Sequence, residues 1–113
     1  MVDNQIILFK FIQTNKNLNC DDISYKYKLS ENFIREFQDK IDWYWISENQ
    51  TLSENFIREF QNKVDWYYIS ANQTLSENFI RELHDKVNWR WISKFQTLSE
   101  NFKEKFKHKL NYY

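Results

Sequence analysis

Apolar and polar positions recur along this chain with a period of 23 residues. The unit reads SENFIREFQDKIDWYWISENQTL at residues 30–52, returns with few changes at 53–75 and 76–98, and starts again at Ser99. A fixed period of this length is typical of solenoids, in which each unit buries its apolar side only against its neighbours. The pattern therefore predicts a stack of like units.

The whole chain, residues 1–113, is predicted to form a single repeat domain. Residues 1–29 match the unit only near their end, and we interpret them as a diverged N-terminal capping repeat. Residues 99–113 are interpreted as a truncated C-terminal capping repeat, in which Lys103 replaces an isoleucine of the full copies. Terminal repeats are expected to be atypical and more polar, because one of their sides has no neighbour.

The first half of each unit predicts an amphipathic helix. The apolar residues of the first copy fall at helical spacing on one face: Phe33, Ile34, Phe37 and Ile41. A serine, which is a favoured N-cap, precedes the helix in every copy: Ser30, Ser53, Ser76 and Ser99. Glu31 and Arg35 stand four residues apart and predict an ion pair within the helix. Lys40 is expected to close the helix, where a cation suits the helix dipole.

The second half of each unit has features of both a strand and a helix. Its DWYWIS segment is rich in aromatic residues, which favour strands. In the second copy, V-x-x-Y-x-I-x-x-N-x-x-L also resembles the strand and asparagine ladder of a leucine-rich repeat. The ladder position, however, holds Asn49, Asn72 and then Phe95. A phenylalanine cannot supply the buried amide that such a ladder requires.

Helical spacing favours a helix over a strand for this second half of the unit. The positions that stay fixed between copies form one helical face: Trp43, Ile46, Ser47 and Gln50. An Asp or Asn, the strongest N-cap class, precedes this segment in each copy: Asp42, Asp65 and Asn88. We predict a short α or 3₁₀ helix from about residue 43 to 50, and hence an all-α solenoid of two-helix repeats. A leucine-rich-repeat-like α/β solenoid is the alternative.

The composition fits helices that share an aromatic core. Aromatic residues make up 19% of the chain and supply large apolar areas for burial. Glycine and proline are absent, which disfavours hairpin-rich β folds. The 16 basic and 16 acidic side chains balance, so the net charge attracts neither nucleic acid nor an anionic membrane. We therefore expect neither as a partner.

Cysteine content and hydropathy predict an intracellular protein. The single cysteine, Cys20, excludes a disulfide within the chain and fits a reducing compartment. No apolar run approaches the roughly 20 residues that a membrane span needs. The N-terminus lacks a signal-peptide pattern. We expect a protein that is neither secreted nor bound to a membrane.

Residues with catalytic potential are few. The histidines, His84 and His108, lie in different copies, and Cys20 stands where the full copies have tryptophan. A nucleophile, a base and an orienting group cannot be assembled from these residues. We expect no enzymatic activity, no cofactor and no metal.

The positions that vary between copies are the candidates for recognition, because repeat proteins keep core positions fixed and vary the binding surface. Positions 44, 48 and 49 of the first copy vary together with their equivalents. We call these nine residues the variable strip: Tyr44, Glu48, Asn49, Tyr67, Ala71, Asn72, Arg90, Lys94 and Phe95. Tyrosine and arginine are enriched in binding hot spots. The strip predicts a docking face for a protein or peptide partner, as in a non-enzymatic scaffold.

Three other interpretations concern neighbouring positions. The residues at position 45 of each copy, Trp45, Tyr68 and Trp91, are expected to stack on one another between repeats as core. Single-stranded RNA could also bind, with one side chain of each repeat stacked on a base: Tyr44, Tyr67 and Arg90. Self-assembly through exposed repeat ends, at Tyr112 and Tyr113, is a third alternative.

The amino-acid sequence of the repeat is unusual. The string L-S-E-N-F-I-R-E-F-Q-D-K-[IV]-D-W-Y-W-I-S-x-x-Q-T, over Ile23–Tyr113, resembles near-perfect short tandem repeats in proteins of giant amoeba-infecting DNA viruses. Those proteins are described by their repeats and not by an activity. The resemblance implies a viral protein in the host cytoplasm, and it implies no reaction.

Overall fold

The computed structural model of the chain describes residues 6–7 and 28–110. Between residues 31 and 110 the chain forms eight helices and no strand. They are α1 Glu31–Glu36, α2 Trp43–Asn49, α3 Glu54–Glu59, α4 Trp66–Asn72, α5 Glu77–Glu82, α6 Trp89–Phe95, α7 Glu100–Lys105 and α8 Lys107–Leu110. The predicted all-α repeat solenoid is confirmed, and the leucine-rich-repeat-like alternative is wrong.

The odd-numbered helices begin at the predicted serines. In α1 the Ser30 hydroxyl oxygen accepts a hydrogen bond from the Phe33 backbone N–H at 3.1 Å, and the same contact recurs in α3, α5 and α7. The helix ends at Glu36, earlier than predicted, and Lys40 lies in the turn that follows. The Gln38 side-chain amide donates to the Arg35 carbonyl oxygen at 3.1 Å. Carbonyls at the helix end are thereby satisfied without another helical turn.

The second helix of each repeat begins at the predicted Asp or Asn. Asp42 Oδ1 accepts from the Tyr44 backbone N–H at 2.9 Å, and Asp65 makes the equivalent bond in α4. Asn88 caps α6 through the Trp91 backbone N–H at 3.4 Å. The predicted span of about 43 to 50 agrees with the observed α2.

Apolar residues from both helices of each repeat form one continuous core. Its fully buried members are Ile34, Ile46, Phe56, Ile57, Ile69, Phe79, Ile80, Ile92 and Phe102. Trp43 reaches across to the next repeat, where its ring centroid lies 5.3 Å from that of Phe60. Its indole N–H donates to the Gln38 carbonyl oxygen at 3.0 Å. The half-buried tryptophan therefore packs its ring while satisfying its polar atom.

Glutamine side chains join successive repeats through a buried ladder. Gln73 Oε1 accepts from the Leu52 backbone N–H at 3.1 Å, and its Nε2 donates to the Gln50 carbonyl oxygen at 2.6 Å. Gln96 repeats both contacts one repeat later, on Leu75 and Gln73. An amide ladder therefore exists, but position 50 forms it rather than position 49. These bonds satisfy backbone groups that would otherwise be buried without partners.

Charged residues of the first helices also pair between repeats. Arg35 lies 3.0 Å from Glu59 of the next repeat and places its guanidinium 5.3 Å from the centroid of the Phe56 ring. Glu31 accepts from the Ser53 backbone N–H at 2.7 Å. The predicted Glu31–Arg35 pair is wrong, because both side chains reach forward along the stack. Among residues 28–110 a pair at that spacing occurs in the third full repeat, where Arg81 lies 3.7 Å from Glu77.

The two ends of the stack are described in part. Most of the predicted N-terminal capping repeat, 1–29, lies outside the described residues, although Ile6 packs against the Phe33–Phe37 pair. At the other end, Phe102 is buried and lies against Trp89. The predicted contact through the last two tyrosines falls outside the described residues.

Candidate interaction surface

The variable strip lies on the second helices, α2, α4 and α6, which pack side by side in chain order. Three of its large side chains are exposed: Tyr44 by 39%, Tyr67 by 45% and Phe95 by 57%. Glu48 and Ala71 are half-buried, and the other four residues are exposed. Because neighbouring helices carry equivalent positions, the nine residues share one side of the stack.

Six aromatic rings form a continuous row across this side. Following edge-to-face and stacked contacts, the row runs Trp45, Tyr44, Tyr68, Tyr67, Trp91 and Phe95, with successive centroids 4.5–5.3 Å apart. The prediction that Trp45, Tyr68 and Trp91 stack on one another is wrong. Tyr68 instead packs against Tyr44 of the preceding repeat, since the 44 and 45 columns alternate along the row.

A hydroxyl–hydroxyl hydrogen bond fixes one junction of the row. The Tyr68 hydroxyl donates to the Tyr44 hydroxyl oxygen at 2.9 Å. This bond, with smaller contributions from desolvation and from nearby groups that include Glu48, raises the pKa of Tyr68 to about 12. The Tyr68 hydroxyl therefore keeps its proton at neutral pH and can donate this bond.

Trp91 is the centre of a cationic and aromatic cluster in the third repeat. Phe95 stacks on it with ring centroids 5.3 Å apart and an angle of 22° between the planes. The Arg90 guanidinium and the Lys94 ammonium lie 5.7 and 5.1 Å from its centroid. Its indole nitrogen is buried and has no hydrogen-bond partner among the described residues. Cations over a tryptophan face are held by its quadrupole.

A groove opens beside the strip at the first junction between full repeats. It has a volume of about 250 Å³ and polar walls that include Glu48, Asn49 and Asn72 from the strip and Gln50 and Gln73 from the ladder. The Oε2 atom of Glu48 is itself buried and has no hydrogen-bond partner in the described part of the chain. Space of this size admits several waters or the end of a long side chain.

Charge is distributed unevenly along the strip. Its first repeat contributes Glu48, its second contributes no charge, and its third contributes Arg90 and Lys94. Within residues 28–110 none of these three takes part in a salt bridge. The strip therefore presents one acidic end and one basic end that the chain itself does not neutralise.

The residues considered for catalysis do not come together in a site. His84 and His108 are both exposed, and Cys20 lies outside the described residues. No group of three His, Cys, Asp or Glu side chains able to hold a metal ion occurs where the structure describes the chain. No helix within the same residues has the length and apolar character needed to cross a bilayer.

The sequence does not predict two features of this surface. One is that Trp45, Tyr68 and Trp91 take part in the aromatic row. All three are aromatic and each follows a residue of the 44 column, a pattern that could have suggested it. The other is the partnerless Oε2 of Glu48, for which the sequence carries no signal. Comparison of the chain with protein-family models, curated proteins and solved structures finds no match.

Proposed function

We propose that this protein is a non-enzymatic docking module that binds a protein or peptide along the variable strip. The observation that carries the proposal is the aromatic row, whose exposed members are flanked by charges without ion-pair partners among the described residues. Exposed aromatic rings beside unpaired charges are typical of interaction surfaces. The proposed setting is intracellular, and the host cytoplasm if the chain belongs with the viral repeats it resembles.

The packing of the row supports this proposal energetically. Each ring of Tyr44, Tyr67 and Phe95 touches a neighbouring ring, so little rotamer freedom is left to lose on binding. Side chains ordered before binding reduce the entropic cost of association. Tyrosine and tryptophan have few side-chain torsions and offer large contact areas, which adds to this advantage.

A capture assay with matched variants tests the proposal. In the strip variant, Tyr67→Ala, Arg90→Ala and Lys94→Ala are combined. The control is His84→Ala with Asp85→Ala, two exposed residues of the same third repeat that lie outside the strip. We expect proteins from an amoebal extract to be retained by wild type and control and lost from the strip variant. Equal retention by a strip variant with a wild-type circular dichroism spectrum would reject the proposal.

Single-stranded RNA is the second candidate ligand. One observation favours it: Phe95 is exposed beside Trp91, with two cations over the same ring, an arrangement that suits a stacked base next to a phosphate. Glu48 on the same strip and the zero net charge oppose it. Quenching of tryptophan fluorescence by oligouridylate at physiological salt would support RNA binding, whereas an unchanged spectrum would leave protein docking as the sole candidate.

A further inference from the structure

The charges of the variable strip are arranged so that a second copy of the same strip complements them. The acidic group, Glu48, lies one repeat before the uncharged Ala71, and the basic groups, Arg90 and Lys94, lie one repeat after it. Whole repeats follow the same trend, from five acidic and two basic residues in 30–52 to three acidic and four basic in 76–98. Reversing the direction of one strip therefore brings opposite charges together at both ends.

We infer that two copies of this chain pair face to face along the strip, antiparallel, about a two-fold axis near Ala71. This inference rests on the proposed docking function and identifies the partner as a second copy. An isologous contact needs a self-complementary surface, and a strip with acidic, neutral and basic sections has that property. Ala71 is uncharged, so no like charges meet at the axis.

The groove beside Glu48 provides a receptor for the opposite copy's cations. The half-buried Glu48 side chain lies in the wall of this groove and forms no salt bridge among residues 28–110. A cation that enters the groove would pair with this carboxylate through a charge-assisted hydrogen bond. In the antiparallel pair, Lys94 or Arg90 of the second copy would enter this groove. Each dimer has two such contacts, which the symmetry makes identical.

Exposed aromatic side chains supply the apolar part of the same contact. Phe95, exposed by 57%, lies beside the basic group, and Tyr44, exposed by 39%, lies beside the acidic group. Pairing in the antiparallel sense brings Phe95 of each copy over the first repeat of the other. The apolar contact supplies affinity, while the charges set the orientation and oppose the parallel arrangement, in which like charges meet.

Charge-reversed variants test the pairing. Variant A carries Glu48→Lys, and variant B carries Arg90→Glu with Lys94→Glu. Position 48 tolerates lysine, since Lys94 occupies the equivalent position of the third repeat. By sedimentation equilibrium we expect a dimer for the wild type, monomers for A and for B, and an A–B dimer on mixing. The wild-type dissociation constant should also rise with salt, because salt screens the paired charges.

A control of equal charge change excludes a general electrostatic effect. Asp85→Lys changes the net charge by the same amount as variant A, but Asp85 is exposed on a turn outside the strip. We expect this control to dimerise like the wild type. If it also becomes monomeric, the strip-specific pairing is wrong.

Cysteine cross-linking distinguishes the orientations. In a Cys20→Ser background, chains with Glu48→Cys are mixed with differently tagged chains carrying Lys94→Cys. Oxidation should join the two different chains in the antiparallel pair. Links only between identical chains would overturn the antiparallel arrangement.

Failure of the inference is separable from failure of the docking function. A wild type that stays monomeric up to about 1 mM, a concentration at which even weak complexes form, overturns self-pairing. If the strip variant then still loses proteins that the control retains from the extract, docking stands with a different partner. If neither dimer nor strip-dependent capture is seen, both proposals fall.

Discussion

The face formed by the first helices and the face formed by the second helices both carry arginine, glutamate and aromatic rings. On the first face Arg35 and Arg58 pair with glutamates of the next repeat and lie over its phenylalanine rings. On the second face Arg90 lies over Trp91 of its own helix and takes part in no salt bridge within residues 28–110. The same residue type is used for cohesion on one face and left for association on the other.

The first helices form ion pairs between repeats because the positions involved hold the same residues in successive copies. An arginine of one repeat meets the residue 24 positions later, so a contact recurs only if every copy keeps both partners. Glutamate stands at positions 59 and 82, and both arginines are paired. Position 105 holds Lys105 instead, and Arg81 turns back to Glu77. Columns 44, 48 and 49 vary, so no such series of polar contacts can form along the strip.

The largest effect is expected for two residues that are adjacent in sequence. The side-chain amide of Gln73 holds repeats together, whereas that of Asn72 belongs to the variable strip. Gln73→Ala removes a ladder residue and leaves the Leu52 N–H and the Gln50 carbonyl buried without partners. We expect a loss of about 3 kcal/mol in the free energy of unfolding. Asn72→Ala, on the strip, should change it by less than about 0.5 kcal/mol. Urea denaturation followed by circular dichroism measures both, and equal losses would contradict the division of roles.

The arginines of the two faces give the next largest contrast. Arg58→Ala loses the ion pair in which Arg58 Nε donates to both carboxylate oxygens of Glu82, and it loses a contact with the Phe79 ring. We expect a cost of about 1 kcal/mol in the free energy of unfolding. Arg90→Ala removes an exposed side chain that contacts the Trp91 ring of its own helix, and we expect a cost of less than about 0.5 kcal/mol. The same denaturation experiment applies. A larger loss for Arg90→Ala would place that residue in the fold rather than on a docking surface.

A repaired contact tests the rule of 24-residue spacing. Lys105→Glu supplies the acidic partner that Arg81 lacks in the next turn of the stack, and we expect a gain of about 0.5 kcal/mol in stability. In the combined variant Arg81→Ala with Lys105→Glu, the gain should disappear. A double-mutant cycle from thermal unfolding measures this coupling. A coupling energy of zero would show that position 105 does not face Arg81.

The smallest effect concerns the hydroxyl pair in the aromatic row. Tyr44→Phe removes the acceptor, so the pKa of Tyr68 should fall from about 12 towards the ordinary value of about 10. Because the folded-state pKa is raised, the bond stabilises the fold below about pH 10 and loses its effect as the pH rises through about 12. Tyrosinate absorbance during an alkaline titration reports the shift. An unchanged curve would mean that the bond does not control Tyr68.

Much of the fold could be predicted because it depends on local rules. Serine and aspartate caps and helical spacing located both helices of the repeat. The first helix ends earlier than its apolar spacing predicts, since the side-chain amide of Gln38 satisfies the Arg35 carbonyl there. The sequence predicts ion pairs within helices because spacing along one helix is visible in a sequence, whereas the distance between repeats is not.

The strip was predictable as a set of variable columns but not as a surface with defined chemistry. Its exposure follows from the periodicity that buries Ile46 and Ser47 on the opposite side of α2. The row depends on how far one repeat is rotated from the next, which brought Tyr68 to Tyr44 rather than to Trp45. The partnerless oxygen of Glu48 likewise depends on three-dimensional packing.

Site-specific photo-cross-linking tests most directly whether the second-helix face is the binding surface. A benzophenone side chain replaces Tyr67 in one variant and the exposed His84, outside the strip, in a second. Both are irradiated in an amoebal extract and with unlabelled copies of the chain. We predict cross-linked adducts for the probe at position 67 and almost none at position 84. Equal yields at the two positions, or adducts only at position 84, would contradict the assignment.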